Sequence, residues 1–299
     1  MSLTTLTIRL SLITNSRQRE GLPVPTPTPT PTLMLTGASG GLGSLIAARL
    51  AGRPDVRIGT RRPDGPDQVR VDFDAPGTLD FAGVDVLLLI SAGYGEDDQV
   101  IARHGAVIAA AERDGVGHVV YTSLTEAGDH LPYALPHRWT ERRLRDSTVP
   151  AWTVLRNGLY AELLAGLAAP GPDGRITAPL GEGRLAAVAR EDLAEVAVRV
   201  SLDAGAHAGR VYELVGERAL SGADLAGATG AAYAPAALGP TREALAAASG
   251  AAPFQVPMLI GTYSAIAAGF LAATDQGTLS TLLARPPLDA LTVYANALP

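Results

Sequence analysis

A short apolar run, Met34-Leu35-Thr36, passes directly into Gly37-Ala38-Ser39-Gly40-Gly41-Leu42-Gly43, and from there into a segment whose apolar residues Leu42, Leu45, Ile46 and Leu50 recur at helical spacing. Glycines spaced G-x-x-G-x-x-G between a strand and a helix restrict this chain more than any other feature it carries. Gly37 permits a tight turn, Gly40 lets the backbone approach a pyrophosphate without a side-chain clash, and Gly43 lets the helix pack close on the strand. The helix N-terminus, with Ser39, Gly41 and Leu42 beside it, then faces the anion.

Downstream of Thr32 the pattern alternates short β-rich runs with helical periodicity, which is how a parallel sheet covered by helices on both faces reads. Strands are expected at 33–36, 55–60, 68–72, 84–91, 118–123 and 152–156. The inner stripe Val100, Ile101, His104, Val107, Ile108 and Ala111 marks a covering helix, with His104 expected as a hydrogen-bonded core histidine. The fold class expected is α/β, a Rossmann-like doubly wound parallel sheet with a smaller α/β C-terminal substrate lobe. Residues 33–158 form the dinucleotide-binding domain, joined by strand-helix segments from 184–216, and residues 159–299 form the smaller lobe, the two exchanging segments. In that lobe Phe254, Met258, Tyr263 and Phe270 are expected in the core, and Arg190 with Asp192 is expected to cap a helix and tie the lobes.

Composition removes several chemistries. Acidic residues outnumber basic ones 30 to 24, a net charge of −6 that offers no general attraction to nucleic acid or anionic lipid. All 24 basic residues are arginines, so no lysine is present for Schiff-base work, and there is no cysteine for thiolate or disulfide chemistry. The five histidines show no metal-ligand spacing, and no metal site is expected. Residues 1–32, with their Pro-Thr run from Pro23, read as a disordered tail. No stretch reads as a membrane span, and a cytoplasmic protein is expected, with an apolar helix on the doubly wound half compatible with a homodimer.

In a doubly wound fold the residue ending the second strand meets the adenosine ribose. Gly59-Thr60-Arg61-Arg62 carries no carboxylate there, whereas the Arg61 guanidinium suits a 2′-phosphate, so NADPH is expected over NADH. Arginines in a solvated loop are the plainer reading. Asp72 is placed to accept from adenine or to shape an exposed turn. Ser91, Ala92 and Gly93 supply small residues where the backbone runs beside the cofactor, and Thr122 and Ser123 end the next strand.

At Arg156-Asn157-Gly158-Leu159-Tyr160 a resemblance becomes visible. Together with Thr36–Gly43, Leu87–Ser91, Tyr121–Leu124 and the helix starting His137-Arg138-Trp139-Thr140-Glu141, this segment resembles the NmrA-like branch of atypical short-chain dehydrogenases. The likeness is nearest to bacterial type 2 NAD(P)H:quinone oxidoreductases, and it covers nearly everything after residue 32. It implies an NADPH-dependent oxidoreductase acting on a small molecule, a quinone or a similar electron-poor conjugated carbonyl compound. The Tyr-x-x-x-Lys pair of ordinary short-chain dehydrogenases is missing. Tyr133 with His137 is a candidate substitute acid pair, against a proline-flanked loop followed by a helix start. Glu141 matches a family position that contacts the nicotinamide ribose, against a solvated helix face. Asn157 and Tyr160 are candidates to orient the nicotinamide or stack on a flat ring, against ordinary packing. Two further functions share these residues: a non-catalytic NADP(H)-sensing regulator and a biosynthetic tailoring reductase.

Overall fold

The computed structural model describes residues 31–92, 95–248 and 252–299, so the expectations for the tail up to residue 30 and for Gly93 lie outside the described residues. The elements of the doubly wound half are β1 (Leu33–Leu35), α1 (Gly41–Leu50), β2 (Val56–Thr60), β3 (Gln68–Arg70), β4 (Val86–Ile90), α2 (Asp97–Asp114), β5 (His118–Leu124), α3 (Ala134–Arg145) and β6 (Ala151–Asn157). Beyond them come α4 (Ala161–Leu167), β7 (Arg175–Ile176), β8 (Arg184–Leu185), α5 (Arg190–Leu202) and β9 (Val211–Leu214). The C-terminal part adds β10 (Leu220–Ser221), α6 (Gly222–Thr229), β11 (Ala232–Tyr233), α7 (Leu238–Ala247), α8 (Gln255–Ala267), α9 (Thr278–Leu283) and α10 (Ala290–Asn296).

Seven strands form one parallel sheet in the order β3-β2-β1-β4-β5-β6-β9. The order reverses between β1 and β4, and a crevice opens there at the carboxyl ends of the strands. Central strands buried on both faces need apolar residues at every position, which is why β1 reads Leu-Met-Leu and β4 reads Val-Leu-Leu-Leu-Ile. Strand alternation sorts them into two cores. Leu33, Leu35, Leu88, Val120 and Leu155 pack under α1 and α5, and Met34, Leu87, Leu89, Val119 and Tyr121 pack against the α2 side. Burying Leu42, Ile46 and Leu50 of α1 at i, i+4 and i+8 clamps that helix to the sheet, a gain of about 2 kcal/mol for each fully buried aliphatic side chain.

The seventh strand comes from the second half of the chain: β9, within the 184–216 segments expected to join this domain, pairs with β6 from Val154↔Val211 to Asn157↔Leu214. A third core, centred on α4, α8 and α10, holds the C-terminal part together. Of the four residues expected in that core, Tyr263 is buried and donates its hydroxyl to the Leu167 carbonyl at 2.7 Å, whereas Phe270 is 47% exposed and stacks on His130. Phe254 and Met258 are half-buried. No helix among the described residues is long and apolar enough to cross a membrane.

Candidate cofactor and active site

The glycine loop adopts the geometry its spacing calls for. Gly37 sits at φ +70, a left-handed conformation, and a Cβ on Gly43 would stand 2.1 Å from the Gly37 carbonyl oxygen, so the turn and the close helix approach both require glycine. Gly40 is the N-cap of α1 in extended backbone, and Gly41, Leu42 and Gly43 form the first turn. No side chain caps this turn and no acidic residue lies in it, which leaves its amide donors and its partial positive charge for an anion. Ser39, Thr60 and Arg62 line one groove of about 470 Å³ along the α1 and β2 edge. Arg61 is exposed beside it, and its charge adds to the hydrogen bond from Arg103 that holds the Asp74 carboxyl below its usual range. Asp72 accepts the Asp74 N–H at 3.1 Å, so its carboxylate shapes a turn at the cleft edge.

Next to the switch point the end of β4 is pinned from two sides. The Ser91 N–H donates to the Thr122 hydroxyl at 3.1 Å, and the Ala92 N–H donates to His104 Nε2 at 2.8 Å. That second bond makes Nε2 an acceptor and places the ring proton on Nδ1, which lies 2.7 Å from the Thr140 hydroxyl. Burial pushes the His104 pKa down to about 3, so the imidazole is a neutral core group, as its place on the helix stripe implies.

Three catalytic-half expectations are corrected. Tyr133 and His137 do not pair with each other: the Tyr133 hydroxyl lies 3.2 Å from that of Thr262, and His137 Nδ1 lies 2.9 Å from the Tyr121 hydroxyl. The proline-flanked loop also begins α3 earlier than His137, at Ala134, because Pro136 falls in the first turn where its missing N–H costs nothing. Glu141 is neither a solvated group nor open to a ribose. It is 1% exposed, accepts the Ser123 hydroxyl at 2.7 Å, and lies within 2.9, 3.1 and 2.8 Å of Arg138, Arg145 and Arg156. Burial alone would raise its pKa, but the bonds from Arg156 and Ser123 outweigh that and hold it below the usual range. Strand parity is the reason: on β5, Tyr121 and Ser123 face α3, and only Thr122 faces the α1 side. Arg190 and Asp192 likewise separate, since buried Asp192 accepts from Arg285 at 2.8 Å and from the Leu288 N–H at 2.7 Å while Arg190 turns toward the glycine loop.

At the end of β6 the side chain of Asn157 is 6% exposed, and its Oδ1 is buried without any hydrogen-bond partner. It shares a sheet face with Leu155, which packs in the α1 and α5 core, so this orphaned oxygen stands on the side of the sheet that carries the glycine loop. Gly158 sits in a tight place: a Cβ there would come 3.1 Å from Val215 Cγ1 and 3.2 Å from the Leu214 carbonyl oxygen at the end of β9. Tyr160 then caps α4 with its ring under Arg190.

A family model described as NAD(P)H-binding matches residues 37–204, from the first glycine of the loop through the end of α5. The chain belongs to this NAD(P)H-binding family. Over 149 residues it is 42% identical to quinone oxidoreductase 2 of Escherichia coli, a match covering 49% of this chain and 50% of that protein, so the chain spans about half the length of that relative. The crystal structure of an NADPH-dependent quinone oxidoreductase from Escherichia coli, complexed with NADPH, is 30% identical with a TM-score of 0.78, covering 88% of this chain and 99% of that one. The triphenylmethane reductase of Citrobacter sp., complexed with NADP(H), superposes with a TM-score of 0.79 at 26% identity over 89% of this chain and 100% of that one.

NADPH fits what the residues present: an uncapped helix end behind a glycine loop that admits no Cβ at Gly43, guanidinium groups at the end of β2, and an orphaned buried amide oxygen on Asn157. Three features escaped the sequence reading. The Tyr121–His137 contact joins residues far apart in sequence and leaves no linear trace. Arg62 was passed over because Arg61 alone was assigned to the ribose. Arg190 did carry a signal, for a cation in the first turn of a helix opposes the helix dipole and asks for an explanation.

Proposed function

We propose that this chain is an NADPH-dependent reductase whose acceptor is a quinone or another electron-poor conjugated carbonyl compound. The observation that carries the reading is a cofactor cradle without a general acid. The chain has no lysine, and burial holds His104 and His137 neutral, at pKa values of about 3 and about 4. Burial likewise raises the Tyr121 phenol above its usual range, so none of these groups readily gives up a proton at neutral pH. NADPH supplies the hydride. A quinone takes hydride without prior protonation, and the hydroquinone anion collects its proton from water, so the protein's task reduces to holding two flat rings face to face. Gly37–Gly43 and Arg61 serve to bind the cofactor, Ser91 and Ala92 to form a narrow floor, and Asn157 to orient the nicotinamide. Residues 159–299 serve as the acceptor lobe. The named activities of the Escherichia coli and Citrobacter proteins, on quinones and on triphenylmethane dyes, support an acceptor that is conjugated and electron-poor.

The test is steady-state oxidation of NADPH by the purified protein with a panel of benzoquinones and naphthoquinones, followed by cofactor absorbance. Turnover with several quinones but not with simple ketones is expected. Binding of NADP(H) with no turnover on any member of the panel would overturn the reductase reading and return the chain to the cofactor-sensing one.

A further inference from the structure

Arg190 opens α5, and its backbone N–H is satisfied by Glu162 Oε1 at 3.2 Å. Its side chain reaches the other way. The guanidinium carbon sits 4.9 Å from the centre of the Tyr160 ring, and Nη1 lies 3.0 Å from where a Cβ on Gly41 would stand. A cation at the start of α5 therefore rests against the start of α1, and both placements oppose the helix dipoles. Comparable guanidiniums in this molecule are compensated: Arg138, Arg145 and Arg156 share Glu141, Arg285 holds Asp192 and Glu195, and Arg49 reaches Glu191. Arg190 makes no such ion pair among the described residues; its polar surroundings are the Tyr160 ring and an α1 first turn with neither an acidic residue nor a side-chain cap. The start of α5 has its own anions in Glu162, Glu191 and Asp192, but the α1 first turn against which the guanidinium rests has none, which leaves that side of the guanidinium open to a ligand anion.

We propose that Arg190 is the second jaw of a pyrophosphate clamp, closing on the cofactor from the side opposite the Gly40–Gly43 amides and held flat over the cleft by the Tyr160 ring. The assignment rests on the reading of this site as the NADPH site. Arginine suits the task because its planar fork can stack on a ring and still donate two parallel bonds to phosphate oxygens, which lysine cannot do. Arg190 and Tyr160 are on this account binding and positioning residues: they fix where the dinucleotide lies and take no part in proton transfer. The clamp also divides the cofactor's recognition. The adenosine 2′-phosphate is read at Arg61 and Arg62, and the pyrophosphate is read at Arg190.

Calorimetric titration of the whole protein with two ligands separates these jobs: NADP+, which carries the pyrophosphate, and adenosine 2′-monophosphate, which does not. Arg190→Ala is expected to weaken NADP+ binding by about 10- to 100-fold, the loss of a charge-assisted hydrogen-bond pair, and to leave adenosine 2′-monophosphate binding unchanged. Arg190→Lys keeps the charge and guards against a poorly folded alanine variant; it should fall between the two, weakening NADP+ several-fold. Equal affinity of the wild-type and variant proteins for NADP+ would overturn the clamp, as would an equal loss for both ligands or an effect confined to the KM of the acceptor. If the wild-type protein bound no NADP+ at all, the cofactor reading itself would fall, an outcome distinct from a clamp that fails while the wild-type protein binds normally.

Discussion

Tyr121 on β5 and His137 on α3 meet at 2.9 Å, hydroxyl to Nδ1. Around them lie the His104 ring, edge-on to Tyr121 at 5.5 Å, and the Thr140 hydroxyl bonded to His104. The end of β4 is thus tied through His104 to a buried, uncharged polar network under α3. Such a network gives rigidity to that strand end while withholding protons from it, which suits an acceptor that needs placement more than acid catalysis.

The two histidines of this network make folding stability depend on pH. Burial lowers His104 to about 3 and His137 to about 4 from 6.5. Below the unfolded value the unfolded chain binds protons that the folded chain refuses, so stability falls as pH drops from about 6.5 toward the folded values, each site contributing up to roughly 1.4 kcal/mol per pH unit. Urea denaturation at about pH 8 and about pH 5 should show a clear loss on acidification, and His104→Gln should flatten it. An unchanged pH slope in His104→Gln would remove His104 from the account.

Glu141 adds a second loss on acidification, at lower pH. Its carboxyl is held below 4.5 by Arg156 and Ser123 despite burial, so its ionised form stabilises the fold above that value and the contribution is lost as pH falls through the folded pKa. Glu141→Ala removes the partner that half-buried Arg156 and Arg138 share, leaving them Glu213 and Asp129, and should cost about 1 to 3 kcal/mol. Glu141→Gln should cost less and should make the acid limb of the stability profile shallower. Thermal unfolding across an acid pH series checks both, and a melting temperature for Glu141→Ala equal to that of the wild-type protein would mean that the cluster is not structural.

How far these features could be read in the sequence depended on how local each one is. The phosphate loop was legible because strand, glycines and helix are contiguous, so Gly37, Gly40 and Gly43 could be given their separate jobs from spacing alone. Strands β1 and β4 were legible because parallel strands buried on both faces are unbroken apolar runs. Two-residue strands such as β7 and β10 bury too little to leave a pattern, whereas β9 lies in the 184–216 stretch whose strand and helix periodicity places it with the sheet. The catalytic half failed at strand parity. Tyr121 and Ser123 alternate with Thr122 on β5, and only the folded sheet tells which face holds α3; Glu141 was therefore offered to a ribose when its partners were Ser123 and Arg156. Tyr133 and His137, one helical turn apart, looked paired because Pro132 and Pro136 hid the start of α3 at Ala134.

Asn157 carries the next expectation. Its buried Oδ1 has no partner among the described residues, so the side chain costs stability in the absence of ligand and gains when a ligand group donates to it. Asn157→Ala should leave the free protein as stable as the wild type or more so, and should shrink the rise in melting temperature that saturating NADP+ produces. Differential scanning measurements with and without NADP+ decide this, for a variant that loses stability while keeping the full ligand-induced rise would mark Asn157 as a packing residue.

Cofactor preference should prove to be shared between neighbouring arginines. Arg61 was the single residue expected to read the 2′-phosphate, yet Arg62 lines the same groove as Ser39 and Thr60, while Arg61 stands in the field of Asp74. A phosphate lodged between Ser39 and the end of β2 has both guanidiniums within the reach of their side chains, and each charge-assisted contact is worth about 1.5 to 3 kcal/mol. Neither Arg61→Ala nor Arg62→Ala alone should then abolish the preference for NADPH. Each should lower the ratio of kcat/KM for NADPH over NADH by about tenfold, and the double variant should bring the two coenzymes close to parity. Since NADH lacks the 2′-phosphate, its own kcat/KM should stay nearly constant throughout, and kcat with NADPH should barely move because the ribose end lies far from the transferred hydride. A double variant that kept the wild-type ratio would place recognition of the 2′-phosphate elsewhere on the chain, and a loss confined to Arg61→Ala would exclude Arg62 from it.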